Sequence, residues 1–162
     1  MVLVALLLAM PFFIISCSDD DDDVKKSNTI TELASKTPSL STLYTALEAS
    51  GLDAALDGPG PFTVFAPTNQ AFEALFTQLG VNGIADLTAD QLTPILLYHV
   101  VSGNVRAADV TSGMVSTLNT DAMIDIMVSE SGVKINGTSN VIATDVQGTN
   151  GVIHVIDAVI LP

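Results

Sequence analysis

The chain carries one cysteine and no tryptophan, and only five Lys and Arg stand against eighteen Asp and Glu. A single thiol cannot close an intramolecular disulfide and supplies too few ligands for a structural zinc site, which excludes disulfide scaffolds and zinc modules. A net charge of −13 repels phosphate rather than releasing its counterions, and an aromatic share of 5% leaves few rings to stack on bases. No nucleic-acid partner is expected. Absent too are a Gly-x-Ser-x-Gly elbow, a P-loop and a Gly-x-Gly-x-x-Gly turn, and neither His99 nor His154 stands beside a second ligand at metal spacing. Asp145 and Asp157 are carboxylates that neighbouring strands would bring near each other, but on strand ends such groups are more often solvated than used as an acid/base pair. The reading is of no catalytic residue, no metal and no cofactor.

What is present begins with an apolar run over residues 1–15. It is shorter than the roughly 20 residues of a bilayer crossing and matches the apolar region of a secretory leader, expected over residues 1–16. Ile14-Ile15-Ser16-Cys17 follows and resembles a bacterial lipobox, in which a small residue precedes a cysteine whose thiol takes the lipid. Cys17 is therefore the expected lipidation site, the alternative being a lone thiol in an ordinary signal or anchor. No Lys or Arg precedes the run, where a leader carries positive charge, so the true start is expected upstream of Met1. The five adjacent carboxylates of residues 19–23 repel one another and bury nothing, so residues 17–28 read as the lipidated cysteine and an acidic flexible tether. The eleven residues 18–28 reach about 36 Å at full stretch. A weak calcium strip is the rival reading, and it lacks a turn to converge the oxygens on one ion.

The remaining chain, residues 29–162, is one domain's worth of sequence. Ser39 is the expected cap of a helix whose apolar positions Leu40, Leu43, Tyr44 and Leu47 share one face and which Gly51 closes. After a Gly-Pro-Gly-Pro turn, residues 62–66 alternate as a strand, and Thr68 or Asn69 caps a second helix carrying Phe72, Leu75, Phe76 and Leu79 up to Gly80. Thr88 to Gln91 has capping-box spacing, while Thr93-Pro94 offers a second start, so a helix broken into two turns is predicted through Leu96. Strands are predicted over residues 122–128, 133–135, 140–144 and 152–161, punctuated by Ser131-Gly132, Asn136-Gly137 and Asn150-Gly151. Asn136-Gly137-Thr138 also matches a glycosylation sequon, and the hairpin turn is the preferred reading. The last strand is apolar on both faces and is expected to be covered on both sides.

Three segments together resemble the fasciclin-like domain family: Thr63 through Phe72 (TVFAPTNQAF), Leu96 through Val101 (LLYHVV), and Gly151 through Asp157 (GVIHVID) with Val159 and Pro162. The resemblance covers about residues 27–162 and implies an α+β domain, a β-wedge of two sheets flanked by helices. It further implies an extracellular, membrane-tethered adhesion module without a shared reaction, whose Tyr-His region is implicated in integrin recognition by animal members. A bacterial chain has no integrin of its own, so that partner does not carry over. Tyr98, His99 and Asn69 are the candidate partner-binding residues, against the structural readings of a packed ring, a satisfied buried imidazole and a helix cap. From residue 27 onward thirteen acidic side chains face three basic ones, a net −10 that disfavours anionic glycans. The expectation is a monomer, anchored through Cys17 in a bacterial outer membrane and surface-exposed, that binds a protein or neutral glycan of the cell surface or matrix. Alternatives are an envelope small-ligand carrier or hydrolase, which needs a pocket near His99 or His154, and a structural spacer.

Overall fold

The computed structural model describes residues 28–162; the leader, Cys17 and all of the acidic tether except Asn28 lie outside the described residues. The first half holds α1 (Ile30–Lys36), α2 (Ser41–Ser50), α3 (Asp53–Leu56), β1 (Phe62–Pro67), α4 (Asn69–Leu79) and α5 (Ala89–Tyr98). The second half holds β2 (Val100–Ser102), β3 (Gly113–Ser116), β4 (Met123–Ser129), β5 (Gly132–Ile135), β6 (Ser139–Gln147) and β7 (Gly151–Ile156).

Local signals place most of these boundaries. Thr68 caps α4 by accepting from the Ala71 amide, and Gly80 closes it at φ 69°, a left-handed geometry that glycine reaches without strain. In α5 the Thr88 amide donates to the Gln91 side chain at 3.0 Å, one arm of the capping box. The break expected at Thr93-Pro94 does not occur, for α5 runs unbroken to Tyr98 with Pro94 inside it and its apolar Leu92 and Leu96 buried. Ser39 is not the cap of α2 either. It sits within a 3-10 turn, Pro38–Leu40, and the helix starts at Ser41, where Asn69 from α4 accepts the Thr42 amide at 3.0 Å. A partner distant in sequence has replaced the local cap.

The strands form one ribbon in the order β2-β1-β7-β6-β5-β4-β3. β1 and β7 pair in parallel from Phe62↔Gly151 to Pro67↔Ile156, and every other neighbouring pair is antiparallel. Register shifts between Val141, Ala143 and Val146 mark bulges in β6, which bend a ribbon into two walls. The two sheets expected are thus hydrogen-bonded through β6, and a bridge from Val101 to Thr117 draws the far ends together into the wedge. Strand β7 stops at Ile156 rather than at residue 161 because the Asp157 carboxylate turns aside to accept the Asn140 amide and side chain, both at 2.7 Å.

Strand β7 is buried along its whole length, as its two apolar faces predict. Ile153 and Val155, with Val64 and Ala66 of β1, meet Leu43, Leu47, Phe72, Leu92 and Leu96 of the helices. On the opposite side Ile156 and Phe65 join Tyr98, Ile124, Ile126, Ile135 and Ile160 inside the wedge. Full burial of each such aliphatic or aromatic side chain is worth about 1.5–3 kcal/mol. Buried Thr63 ties the loop after β2 to this centre, donating to the Gly103 carbonyl at 2.6 Å and accepting the Val105 amide at 2.9 Å.

β1 and β7 meet so closely that a Cβ on Gly151 would strike the Phe62 carbonyl and the Ile30 side chain, whereas one on Gly83 would meet open space. Gly151→Ala is therefore expected to lower unfolding free energy by about 1–3 kcal/mol, and Gly83→Ala to leave it within about 0.5 kcal/mol. Urea unfolding of the two variants checks the contrast.

Candidate functional site

The three residues singled out as partner-binding candidates lie at two corners of the wedge. Tyr98 ends α5 and is 4% exposed, with its hydroxyl donating to the Met123 carbonyl at 2.9 Å and accepting from Asn136 Nδ2 at 2.9 Å. Asn136, at φ 51° in the β5–β6 turn, uses its Oδ1 to accept the Asp125 amide at 2.9 Å. The ring thereby fixes β4 and the following hairpin to the helical layer. Asn136 and Gly137, both at positive φ, make the tight turn that the Asn-Gly pair predicts.

His99 follows at the turn into β2 and is buried. Its Nδ1 donates to the Ile95 carbonyl at 2.7 Å, which leaves Nε2 to accept the Ile160 amide at 3.1 Å. Burial without a compensating charge holds its pKa down to about 4, outweighing the Ile95 carbonyl, which favours the charged form. Asn69 is half-buried at the start of α4; its Nδ2 donates to the Pro38 carbonyl at 2.9 Å while its Oδ1 holds the α2 amide. All three side chains have their polar atoms engaged within the fold.

The other polar residues are employed in the same way. His154 Nε2 donates to the Val105 carbonyl at 2.7 Å, Nδ1 accepts the Asp145 amide at 3.4 Å, and the ring stacks on Phe65 at 5.7 Å between centroids. Asp145 accepts the Ala107 amide at 2.9 Å and Asp157 the Asn140 amide, so each carboxylate serves a separate stretch of backbone. Among the described residues no buried side-chain polar atom lacks a partner. The cavity against His154, lined also by Phe65, Ala107, Val110, Val133, Val141 and Thr144, has a volume of about 10 Å³. That is near the size of one water molecule and far below the several hundred Å³ of a ligand pocket. A wider depression of about 370 Å³, bordered by Pro59, Pro61, Asn104, Thr149 and Asn150, has no ionisable side chain in its lining.

The outer side of β3, β4 and β6 carries exposed apolar side chains. Along β4, Ile124 and Ile126 point into the wedge and are buried, while Met123 and Met127 point out and are 47% and 49% exposed. Met114 on β3 and Ile142 on β6 extend this outer wall, at 60% and 58% exposure. The sequence reading missed this surface. Its signal was a strand with apolar residues in both phases, interrupted outward by Asp125 and ended by Ser129.

The family model described as Fasciclin domain matches residues 38–162 of this chain. The chain belongs to the fasciclin domain family. Protein sll1483 of Synechocystis sp. is 47% identical to this fasciclin domain chain over 134 residues, 83% of the chain and 73% of the relative. Stabilin-1 of Homo sapiens is 32% identical over 142 residues, 83% of the chain but only 5% of Stabilin-1. Among solved structures, the FAS1 domain pair from the insect cell adhesion molecule fasciclin I matches with a TM-score of 0.68 at 24% identity. That match covers 83% of this chain and 51% of the solved one, and it shows the fasciclin fold.

The buried His99 links stability to acid. Its native pKa of about 4 lies below the ordinary 6.5 of an unfolded chain, so its contribution is full above pH 6.5 and is lost as pH falls toward 4, by about 3 kcal/mol in all. The advantage of the native chain over His99→Gln in urea unfolding is expected to shrink across that window. An advantage that stays constant from pH 7 to pH 4.5 would contradict a neutral buried imidazole. Asn69→Ala, which removes the α2 cap, is expected to cost about 1–2 kcal/mol at any pH in the same assay.

Proposed function

We propose that this fasciclin chain is a lipid-anchored binding module of a bacterial cell envelope that recognises a protein or neutral glycan of a neighbouring surface and performs no chemistry. Lipid on Cys17 would hold it in the outer membrane, facing outward, and the acidic run would give the domain reach. The observation that carries the reading is the division of labour among side chains. Tyr98, His99, Asn69 and His154 hydrogen-bond within the domain, and exposed Asp145 and Asp157 each accept a backbone amide, while large apolar side chains stand on the outer wall. Buried polar side chains such as Tyr98, His99 and His154, used this way, rigidify a scaffold and leave little for proton transfer. The likeness to a named cell adhesion molecule supports the same direction. Tyr98, His99 and Asn69 enter this reading as supports that set the contact surface.

A single module gives modest affinity, and many anchored copies on one envelope multiply it by raising the effective concentration of the second contact. Two experiments test the proposal. Cys17→Ala is expected to move the protein from the membrane fraction to the soluble fraction, and a variant that stays membrane-bound would refute the lipid anchor. Beads coated with residues 27–162 are expected to attach to cells or extracted matrix above the level of bare beads, with attachment growing steeply with coating density. Attachment no better than bare beads, or turnover of a substrate abolished by one polar substitution, would refute the binding reading.

A further inference from the structure

The outer wall carries a pattern more specific than exposure alone. Within β4 the outward positions are Met123, Asp125, Met127 and Ser129; exposed Asp121 lies in the turn before the strand and exposed Glu130 in the turn after it. Register places Met114 of β3 opposite Asp125 and Lys134 of β5 opposite Met127. One acid, Asp125, therefore stands between two thioethers on this strand, at a spacing of about 6.6 Å, the distance between side chains on one face. Asp125 on the strand and Asp121 and Glu130 in its flanking turns stand against one lysine here, and among the described residues the only ion pair is Lys36 with Glu32, so Lys134 neutralises none of them through a direct contact. Methionine side chains are flexible and polarisable, and they adapt to partners of differing shape. Contiguous exposed apolar groups with a polar rim mark contact sites.

Resting on the binding role proposed above, we infer that the outer face of β3, β4 and β5 is the contact surface and that its partner is a cationic, apolar-bearing protein segment. Charge complementarity decides the occupant. A second copy of this domain would bring its own carboxylates and a net charge of −10 against this face, whereas Lys or Arg alternating with Leu-like side chains would meet the acids and fill between the methionines. An extended segment with the repeat Lys-Ser-Leu-Ser presents Lys and Leu on one face at the spacing that separates Asp125 from Met123 and Met127.

The test uses the purified full chain and a fluorescein-labelled peptide of three Lys-Ser-Leu-Ser repeats, read by fluorescence anisotropy. Saturable binding is expected. Replacing every peptide Lys by Glu, or every Leu by Ser, is expected to weaken it by about tenfold or more. Met123→Ser combined with Met127→Ser is expected to weaken binding by about tenfold with an unchanged melting temperature, since both side chains stand out from the core. Asp125→Asn is expected to reduce the salt dependence of binding. The inference is overturned if the peptide does not bind, if the Ser-for-Leu peptide binds equally well, or if the methionine variant binds as the native chain does. It is equally overturned if sedimentation shows self-association that the methionine variant abolishes, because the occupant is then a second copy. Beads that adhere to cells while this peptide fails to bind would remove the surface assignment and leave the adhesive role standing; the reverse pair of results would do the opposite.

Discussion

The parallel pairing of β1 with β7 is the constraint on which the rest of the domain depends. It joins a strand from the first half to the last strand of the chain and places apolar residues on both sides of that pair. Helices cover one side and the curved wall of β3 to β6 covers the other. Parallel strands of this kind are stable only when both faces are removed from water, and the two apolar clusters meet that demand. The close approach at Gly151 follows from the same pairing, since any larger residue there would push the strands apart.

A set of buried polar contacts then holds the covering layers in register. His99 reaches from the end of α5 to the Ile160 amide, so the tail beyond β7 is drawn back over the wedge and Ile160 is buried. Tyr98, the residue before it, reaches the other way to β4 and to Asn136. His154 fixes the Val105 loop while stacking on Phe65. The polar atoms of these rings are spent on partners within the domain, and in His99 one nitrogen donates while the other accepts. Their consequence is mechanical: β4 is held so that one phase of its side chains fills the core and the other is displayed. From the Tyr98 ring to outward Met123 the route is a single hydrogen bond, onto the Met123 carbonyl.

Elements with signals inside their own span were legible in the amino-acid order. Strand β1, α4 with its cap at Thr68 or Asn69 and its stop at Gly80, and the Asn136-Gly137 turn were legible because each depends on neighbours within a few residues. The misread boundaries depend on distant partners. Ser39 looks like a cap, but Asn69 does that work from 30 positions away, and the apolar pattern past Ile156 reads as strand although Asp157 has been claimed by Asn140. Pro94 suggests a break that packing of Leu92 and Leu96 overrides. The Tyr98-His99 pair was recognisable as noteworthy, but only the fold shows that its polar atoms point inward. The outer wall escaped the reading because a strand apolar in both phases looks like a buried one until its neighbours are known.

Native-state hydrogen exchange across the domain tests the central role of the β1–β7 pair most directly. The amides of Val64, Phe65, Ile153 and His154 are expected to exchange only through global unfolding, with protection equal to the unfolding free energy, while those of β3 open at lower cost. Exchange of the β7 amides through a smaller opening, with β3 and β4 remaining protected, would show that the outer wall and not this buried pair holds the domain together.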